Sequence, residues 1–324
     1  MAHKHLSDND RFYIEKRRSE GDSLRQIAIG LGYSHTTLSR EVRRHTPDDF
    51  NGVYCHRMAS EKAKATRSLA KLNVAFKAIQ GKTKDFIHER LSTHTSPDVI
   101  SGELALKHHI SVSENTIYRY LWEDRAHGGL LYQDLPCRGK PYKRKASSGT
   151  GSRIKNRVPM SERPDIADEK TELGHFEIDT IVGRGHQSYL LTVVDKASKM
   201  CCIRKMPNKL AETVVETFID IVGSTFLEFK TITSDNGTEF ASHEAIAEAT
   251  NADFYFARPY RSSDRGLNEH TNGKIRRFLP KGTDFNEVTE GEVARIEHIL
   301  NTRGRASLSY LSPNDVFLEY LMTG

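Results

Sequence analysis

The apolar pattern of this chain changes its period at about residue 175. Before that point apolar residues recur every three to four positions, which lines one side of a helix. After it, short runs rich in Val, Ile, Tyr and Phe take over, and these suit pleated strands. A chain whose period switches in this way cannot be one uniform layer. It reads as a helical first half joined to an α/β second half, and 324 residues leave room for two or three domains.

The halves also differ in charge. Residues 1–165 hold 30 Lys and Arg against 19 Asp and Glu, a net of +11. Residues 166–324 hold 18 against 24, a net of −6, which together give the overall +5. A basic half suits a polyanionic partner such as nucleic acid. An acidic half that works on the same polymer needs cations to offset its charge. The bland alternative is a solvated basic surface. The composition, 37% hydrophobic and 28% charged, is that of a soluble globular protein. No apolar run approaches the roughly 20 residues that span a bilayer, so no membrane partner is expected. The opening MAHKHLSDND has no apolar core of a secretory signal. Cys55, Cys137, Cys201 and Cys202 show no metal-type spacing, and the adjacent pair falls on opposite faces of a strand. Reduced thiols in a cytoplasmic setting are expected.

Three helical patterns fill residues 7–45, with Ser7, Ser23 and Ser34 as caps and breaks at Gly21 and Gly32. Two helices joined by a short Gly-containing turn, after a leading helix, form a helix-turn-helix pattern. In such a unit the start of the second helix meets the major groove. That directs His35, Thr36, Thr37, Ser39 and Arg40 toward base edges and leaves Arg43 and Arg44 for phosphates. Arg40 is the best placed for a two-pronged guanine contact. A second such pattern starts with Ser96 as cap and Pro97 in the first turn, and continues through HHISVS to ENTIYRYLWE. Its equivalent candidates are Ser113, Asn115, Thr116 and Arg119, with an ordinary helical bundle as the alternative.

Residues 127–165 are rich in Gly, Pro and Ser, and eight Lys or Arg with no acid lie between 138 and 157. They read as an irregular basic linker in which Lys143, Arg144 and Lys145 lie along phosphates. The expected divisions are a helix-turn-helix domain at 1–48, a helical region at 49–126, the linker at 127–165 and a catalytic domain at 166–324.

In that last part, HFEIDTIVG, SYLLTVVDK and MCCIRKMP form three hairpin-linked strands. Helices and strands then alternate, which is the order of a ribonuclease-H-like domain. Asp179 lies inside the first strand, where an unsupported charge is costly to bury. Asp235 ends a later strand, just before the turn signal Asn236-Gly237, where α/β sheets place ligands. Glu269 lies 34 positions further on, near a helix start. Three such carboxylates suit two hard cations that polarise a phosphodiester and activate the attacking oxygen. Each also has a plain structural reading: an ion pair, a turn residue, a charge favoured by the helix dipole. Glu177 shares a strand face with Asp179 and is its chief rival. Asp195 and Glu239 read as structural, and Asp264 is open.

The stretches IDTIVGRGH, TSDNGTEF, DFYFARPY and RGLNEHTNGKIRRFLPKGTDF are similar to the insertion-sequence-30 family of bacterial transposases. So are SLRQIAIGLGYSHTTLSREVRR, ISVSENTIYRYL and NTRGRASLSYLSPNDVF, so the resemblance covers nearly the whole chain. It implies a retroviral-integrase-type catalytic core in which Asp179, Asp235 and Glu269 form a metal-binding triad. It implies two Mg²⁺ ions, with Mn²⁺ able to substitute. It further implies binding to the double-stranded terminal inverted repeats of a mobile element and to target DNA. A circular intermediate, a homodimer or larger assembly on DNA, and a place on the bacterial nucleoid complete the expectation. Departures from the family pattern surround two of the carboxylates: His175-Phe176 precede Glu177, and His270 follows Glu269. Lys274 and Arg277, on the face of Glu269, are expected to hold the DNA strand beside the metals. A DNA-binding repressor with an inactive core, or a nuclease without strand transfer, are the alternatives.

Overall fold

A computed structural model describes residues 5–46, 53–70, 79–135, 154–225, 228–258 and 266–323. Contacts divide the chain into two compact units, Met1–Ala78 and Ile79–Gly324. The three helices of residues 7–45 lie in the first unit and the α/β elements in the second. The helix His56–Ala70 packs on the first helix of the N-terminal unit, and the second helix-turn-helix pattern packs on the C-terminal α/β core.

In the first unit, α1 (Asp8–Ser19), α2 (Leu24–Leu31) and α3 (His35–His45) start at the three serines expected as caps. Ser7 and Ser23 form full capping boxes with Asp10 and Gln26, and Ser34 accepts the Thr37 N–H. Gly32 ends α2 at φ 70°, a left-handed turn that glycine adopts without strain. Leu6, Ile14, Ile27, Ala28 and Leu38 form the core, closed by Tyr54 just before α4 (His56–Ala70) and Ala59 within it. Arg11 is buried, pairs with Glu41 at 2.6 Å and also donates to the Leu6 carbonyl. Those bonds satisfy a charge that would otherwise destabilise the core.

The second unit begins with α5 (Gly81–Ser92), α6 (Pro97–His108) and α7 (Glu114–Ala126). Its sheet consists of β1 (His175–Val182), β2 (Tyr189–Asp195), β3 (Cys201–Met206), β4 (Thr231–Ser234) and β5 (Asp253–Phe256), in the order β3-β2-β1-β4-β5. The first three strands are antiparallel, whereas β4 pairs parallel to β1 and β5 parallel to β4. This is the ribonuclease-H-like order. Helices α8 (Ala211–Ser224) and α9 (His243–Thr250) cover one face. Helices α10 (Gly266–Phe278) and α11 (Glu290–Thr302) cover the other. Cys201 and Cys202 point into these two separate cores, both buried and unbridged. A final helix, α12 (Pro313–Thr323), packs on α11.

Both sheet edges are covered, which blunts their tendency to pair with other chains. On β3, Asn301 bonds the Cys201 N–H and carbonyl at 2.9 and 2.8 Å, and Glu297 accepts the Ile203 N–H at 2.6 Å. Beside β5, Val158 accepts the Phe256 N–H at 2.9 Å. Residues 154–165, expected to belong to the linker, are thus partly docked on the sheet. Lys143, Arg144, Lys145, Cys137 and Asp264 lie outside the described residues.

The helical module α5–α7 is tied to the segment that follows α11. Glu103 of α6 accepts the Gly304 N–H at 2.8 Å, and the Tyr310 hydroxyl donates to Asp98 at 3.0 Å. The Tyr310 ring lies so close to Gly102 that a Cβ there would sit 2.2 Å from it. Only glycine admits that contact.

Candidate active site

The parallel register pairs Glu177 with Thr233. The pairing ends there: Asp179 lies two residues further along β1, and Asp235 lies one residue past the end of the neighbouring, parallel β4. Both aspartates are half-buried. Asp179 accepts the Thr180 N–H at 2.9 Å and the Asn272 amide N–H at 2.7 Å. Asp235 accepts the Gly237 N–H at 2.9 Å, the Asx-type turn foreseen from Asn236-Gly237. Asn236 fixes that turn by donating to the Ala257 carbonyl at 2.9 Å and accepting from Arg157 at 2.5 Å.

Glu269 stands exposed in the first turn of α10, where the helix dipole favours an anion. Its helix is docked on β1 at two points. Buried Glu177 accepts the Asn268 N–H at 3.0 Å, and Asp179 takes the Asn272 amide one turn later. The spacing explains why both bonds form. Two strand residues advance about 6.6 Å and four helical residues about 6 Å. Asn272 also accepts from the Thr192 hydroxyl at 3.2 Å, so β2, β1 and α10 share one polar chain. Glu177, the rival to Asp179, is therefore the anchor of the helix that carries Glu269. Asn272 went unnoticed in the sequence, although it lies three residues past Glu269 on the same helical face.

Two further carboxylates nearby bond groups within the fold. Glu239 is buried, accepts the Thr180 hydroxyl at 3.0 Å and pairs with Lys209 at 2.7 Å. Its oxygen sits 2.2 Å from where a Gly237 Cβ would be. Asp195 gathers the N–H groups of Gly174, Ala197 and Ser198 at the end of the β2–β3 hairpin.

The donor chemistry fits a hard divalent cation, since carboxylate oxygens held by backbone and amide N–H groups remain acceptors toward several partners. The gathering is incomplete. Among the described residues, no three His, Cys, Asp or Glu side chains are close enough to hold one ion. Asp179 lies on β1, Asp235 just past the end of the neighbouring β4, and Glu269 on the helix bonded to β1 through Asn268 and Asn272.

The DNA-facing candidates also divide. His35, Thr36, Arg40, Arg43 and Arg44 are exposed on α3, and Thr37 and Ser39 are half-buried. The hydroxyls of Thr36 and Thr37 bond the cap Ser34 at 2.9 and 2.8 Å. On α7, Asn115 is exposed and Arg119 half-buried, while Ser113 and Thr116 bond each other in the cap at 2.9 Å. Arg277 departs from the expectation. Its guanidinium donates to the carbonyls of His94 and Asp134. It staples α10 to the helical module rather than presenting a charge to DNA. Lys274 is half-buried, and burial together with the neighbouring Arg305 and Arg303 pushes its pKa down to about 6.

Comparison with known proteins agrees with this architecture. Residues 2–45 match a helix-turn-helix domain family, and residues 169–262 match the integrase core domain family. The transposase for insertion sequence element IS4351 of Bacteroides fragilis is 37% identical over 319 residues, covering 98% of this chain and 97% of that one. The transposase InsI for insertion sequence element IS30C of Escherichia coli K12 is 30% identical, over 96% of this chain and 83% of that one. The catalytic core domain of BIV integrase aligns at a TM-score of 0.37 and 18% identity, over 46% of this chain and 95% of that one, too loose a likeness to carry weight. The molecule is a transposase by class, built from a helix-turn-helix region and an integrase core. It belongs to the insertion-sequence-30 family. No helix among the described residues is long and apolar enough to cross a membrane.

Proposed function

We propose that this chain catalyses cleavage and joining of DNA strands in transposition. The feature that supports the reading is the placement of Asp179 on β1 and of Asp235 just past the end of the adjacent, parallel β4, with the Glu269 helix bonded to Asp179 through Asn272. Asp179, Asp235 and Glu269 would hold two divalent cations. Magnesium suits their hard oxygens and manganese can replace it. Bound there, such ions supply charge to the scissile phosphate and lower the pKa of the attacking hydroxyl.

The chain's own residues do the positioning. Thr180 N–H and Gly237 N–H orient the two aspartates, and Glu177 fixes the start of α10, the helix that carries Glu269. The first unit places His35, Thr36, Thr37, Ser39 and Arg40 at base edges and Arg43 and Arg44 at phosphates of the terminal inverted repeats. Asn115 and Arg119 of α7 add a second contact. The active form is a homodimer or larger assembly on DNA, and the product path runs through a circular intermediate.

A strand-transfer assay on labelled terminal repeats tests this reading. Magnesium-dependent cleavage followed by joining to a second duplex is expected. Cleavage without joining identifies a nuclease, and sequence-specific binding without cleavage identifies a repressor. Either result would overturn the proposal.

A further inference from the structure

Three basic side chains near the second half of α10 lie buried or half-buried, and among the described residues no carboxylate forms an ion pair with them. Arg303 and Arg305, just after α11, are only 4% and 7% exposed. Lys274 lies on α10 and is half-buried. Arg303 donates to the Thr93 carbonyl and Arg277 to that of His94, so α10 and the segment after α11 converge on consecutive carbonyls of the α5–α6 turn. Arg305 reaches the Leu300 carbonyl with Nη2 at 2.7 Å. Its Nη1 and Nε, and the Arg303 Nε, are buried without a hydrogen-bond partner among the described residues.

The neighbouring groups do not neutralise this charge. Glu103 is the carboxylate that acts on Arg303, but it already holds Arg90 at 2.8 Å and the Gly304 N–H. The buried Cys201 thiol is pushed up to about 12 and stays protonated. Burial also pushes Arg303 down to about 9. Buried guanidinium groups with vacant N–H positions are costly unless an anion joins them. Their planar fork matches the oxygens of a tetrahedral phosphate, and a lysine adds a point charge.

We propose that Lys274, Arg303 and Arg305 form a phosphate-binding pocket beside the helix that carries Glu269. Its ligand is a phosphate oxyanion, supplied either by the DNA backbone or by free phosphate. The pocket itself stands on these side chains alone. Only a DNA source rests on the function proposed above.

The test uses the full-length protein and inorganic phosphate, exchanged against chloride at constant ionic strength. Phosphate should raise the thermal midpoint of the wild type, and Lys274→Gln should weaken its apparent affinity about tenfold, as the loss of a charge-assisted contact implies. Arg305→Gln should do the same. Lys274 is only half-buried, so its variant keeps the test valid if Arg305→Gln fails to fold. No rise in the wild type, or an equal rise in folded Lys274→Gln, overturns the pocket.

A second arm identifies the source. If a DNA duplex abolishes the phosphate effect and a duplex with neutral methylphosphonate linkages does not, the pocket takes a backbone phosphate. If phosphate acts equally with and without duplex, the pocket holds free phosphate. Neither arm depends on cleavage, so loss of the transposase reading would leave the pocket standing.

Discussion

Ser34 and Ser113 cap the second helix of each helix-turn-helix pattern in the same manner, each accepting an N–H three residues on at 3.2 Å. Beyond the caps the two helices differ. On α3 the basic residues Arg40, Arg43 and Arg44 are exposed, while the buried charge is settled internally by Arg11 and Glu41. On α7, Arg119 is half-buried and Arg125 is exposed. Arg125 stacks over Tyr132 at 4.4 Å, and the Tyr120 hydroxyl bonds His88 at 2.8 Å. The module around α7 is then bound to the catalytic half through Glu103, Tyr310 and Arg303. One local pattern thus serves two ends. Capping and apolar spacing specify two helices and a turn, but the residues on the remaining face decide whether the unit presents itself to DNA or packs.

The sharpest way to break this division of labour is at the carboxylates. Asp179→Asn and Asp235→Asn should each reduce strand cleavage by more than about 100-fold, beyond the usual effect of losing a group that only orients a metal ligand. Binding to the terminal repeat should stay at the wild-type level in a gel-shift titration. A parallel loss of binding would mean that recognition is not confined to the helical units.

Glu177 gives the next largest effect. As the acceptor for the Asn268 N–H it positions α10. Glu177→Ala should lower cleavage by about 10–100-fold, the range for an orienting partner. Glu177→Gln keeps an acceptor oxygen and should stay within a few-fold of wild type, with the same magnesium concentration for half-maximal cleavage. A Glu177→Gln variant as inactive as Asp179→Asn, or one needing far more magnesium, would make Glu177 a metal ligand.

Arg40 and Arg119 compare the two recognition helices directly. Arg40→Ala should weaken specific DNA binding by about 1–3 kcal/mol and relax preference at one base position. Arg119→Ala should change affinity only a few-fold, uniformly across sequences, because its helix is half turned into the fold. Equal and sequence-selective losses would show that both units read bases.

Much of this was readable from the residues, for physical reasons. Asp235 was the clearest, because Asn236-Gly237 forces a turn and the apolar run before it forces a strand. The strand order followed from hairpin lengths and the period of two. Glu177 could not be assigned from sequence, since its partner is a backbone N–H 91 positions away. Arg277 misled because helical spacing gives a direction around α10 but not what lies there. That face meets the carbonyls of His94 and Asp134, supplied by a module whose docking no local pattern encodes. Trp122, spaced as a core residue with Ile117 and Leu121, is 42% exposed while those two are fully buried. Periodicity fixes a stripe, and its margins depend on which neighbour arrives.

The smallest expected effect bears most directly on the shared grammar. Ser34→Ala and Ser113→Ala each remove one side-chain acceptor from a helix start and should each cost about 1 kcal/mol of stability. Denaturant titration of the full chain should resolve the first as a loss in the N-terminal unit and the second in the C-terminal unit. Their consequences for DNA should diverge. Loosening the start of α3 disorders the turn that carries His35 and Thr36, so specific binding should fall with Ser34→Ala. Loosening the start of α7 leaves a helix still held by Ile117, Tyr120 and Leu121 in the core, so binding should hold with Ser113→Ala. If the two variants lost DNA affinity alike, α7 would be a reader with the same standing as α3, and the packing that ties its module to the catalytic half would then orient a second recognition surface.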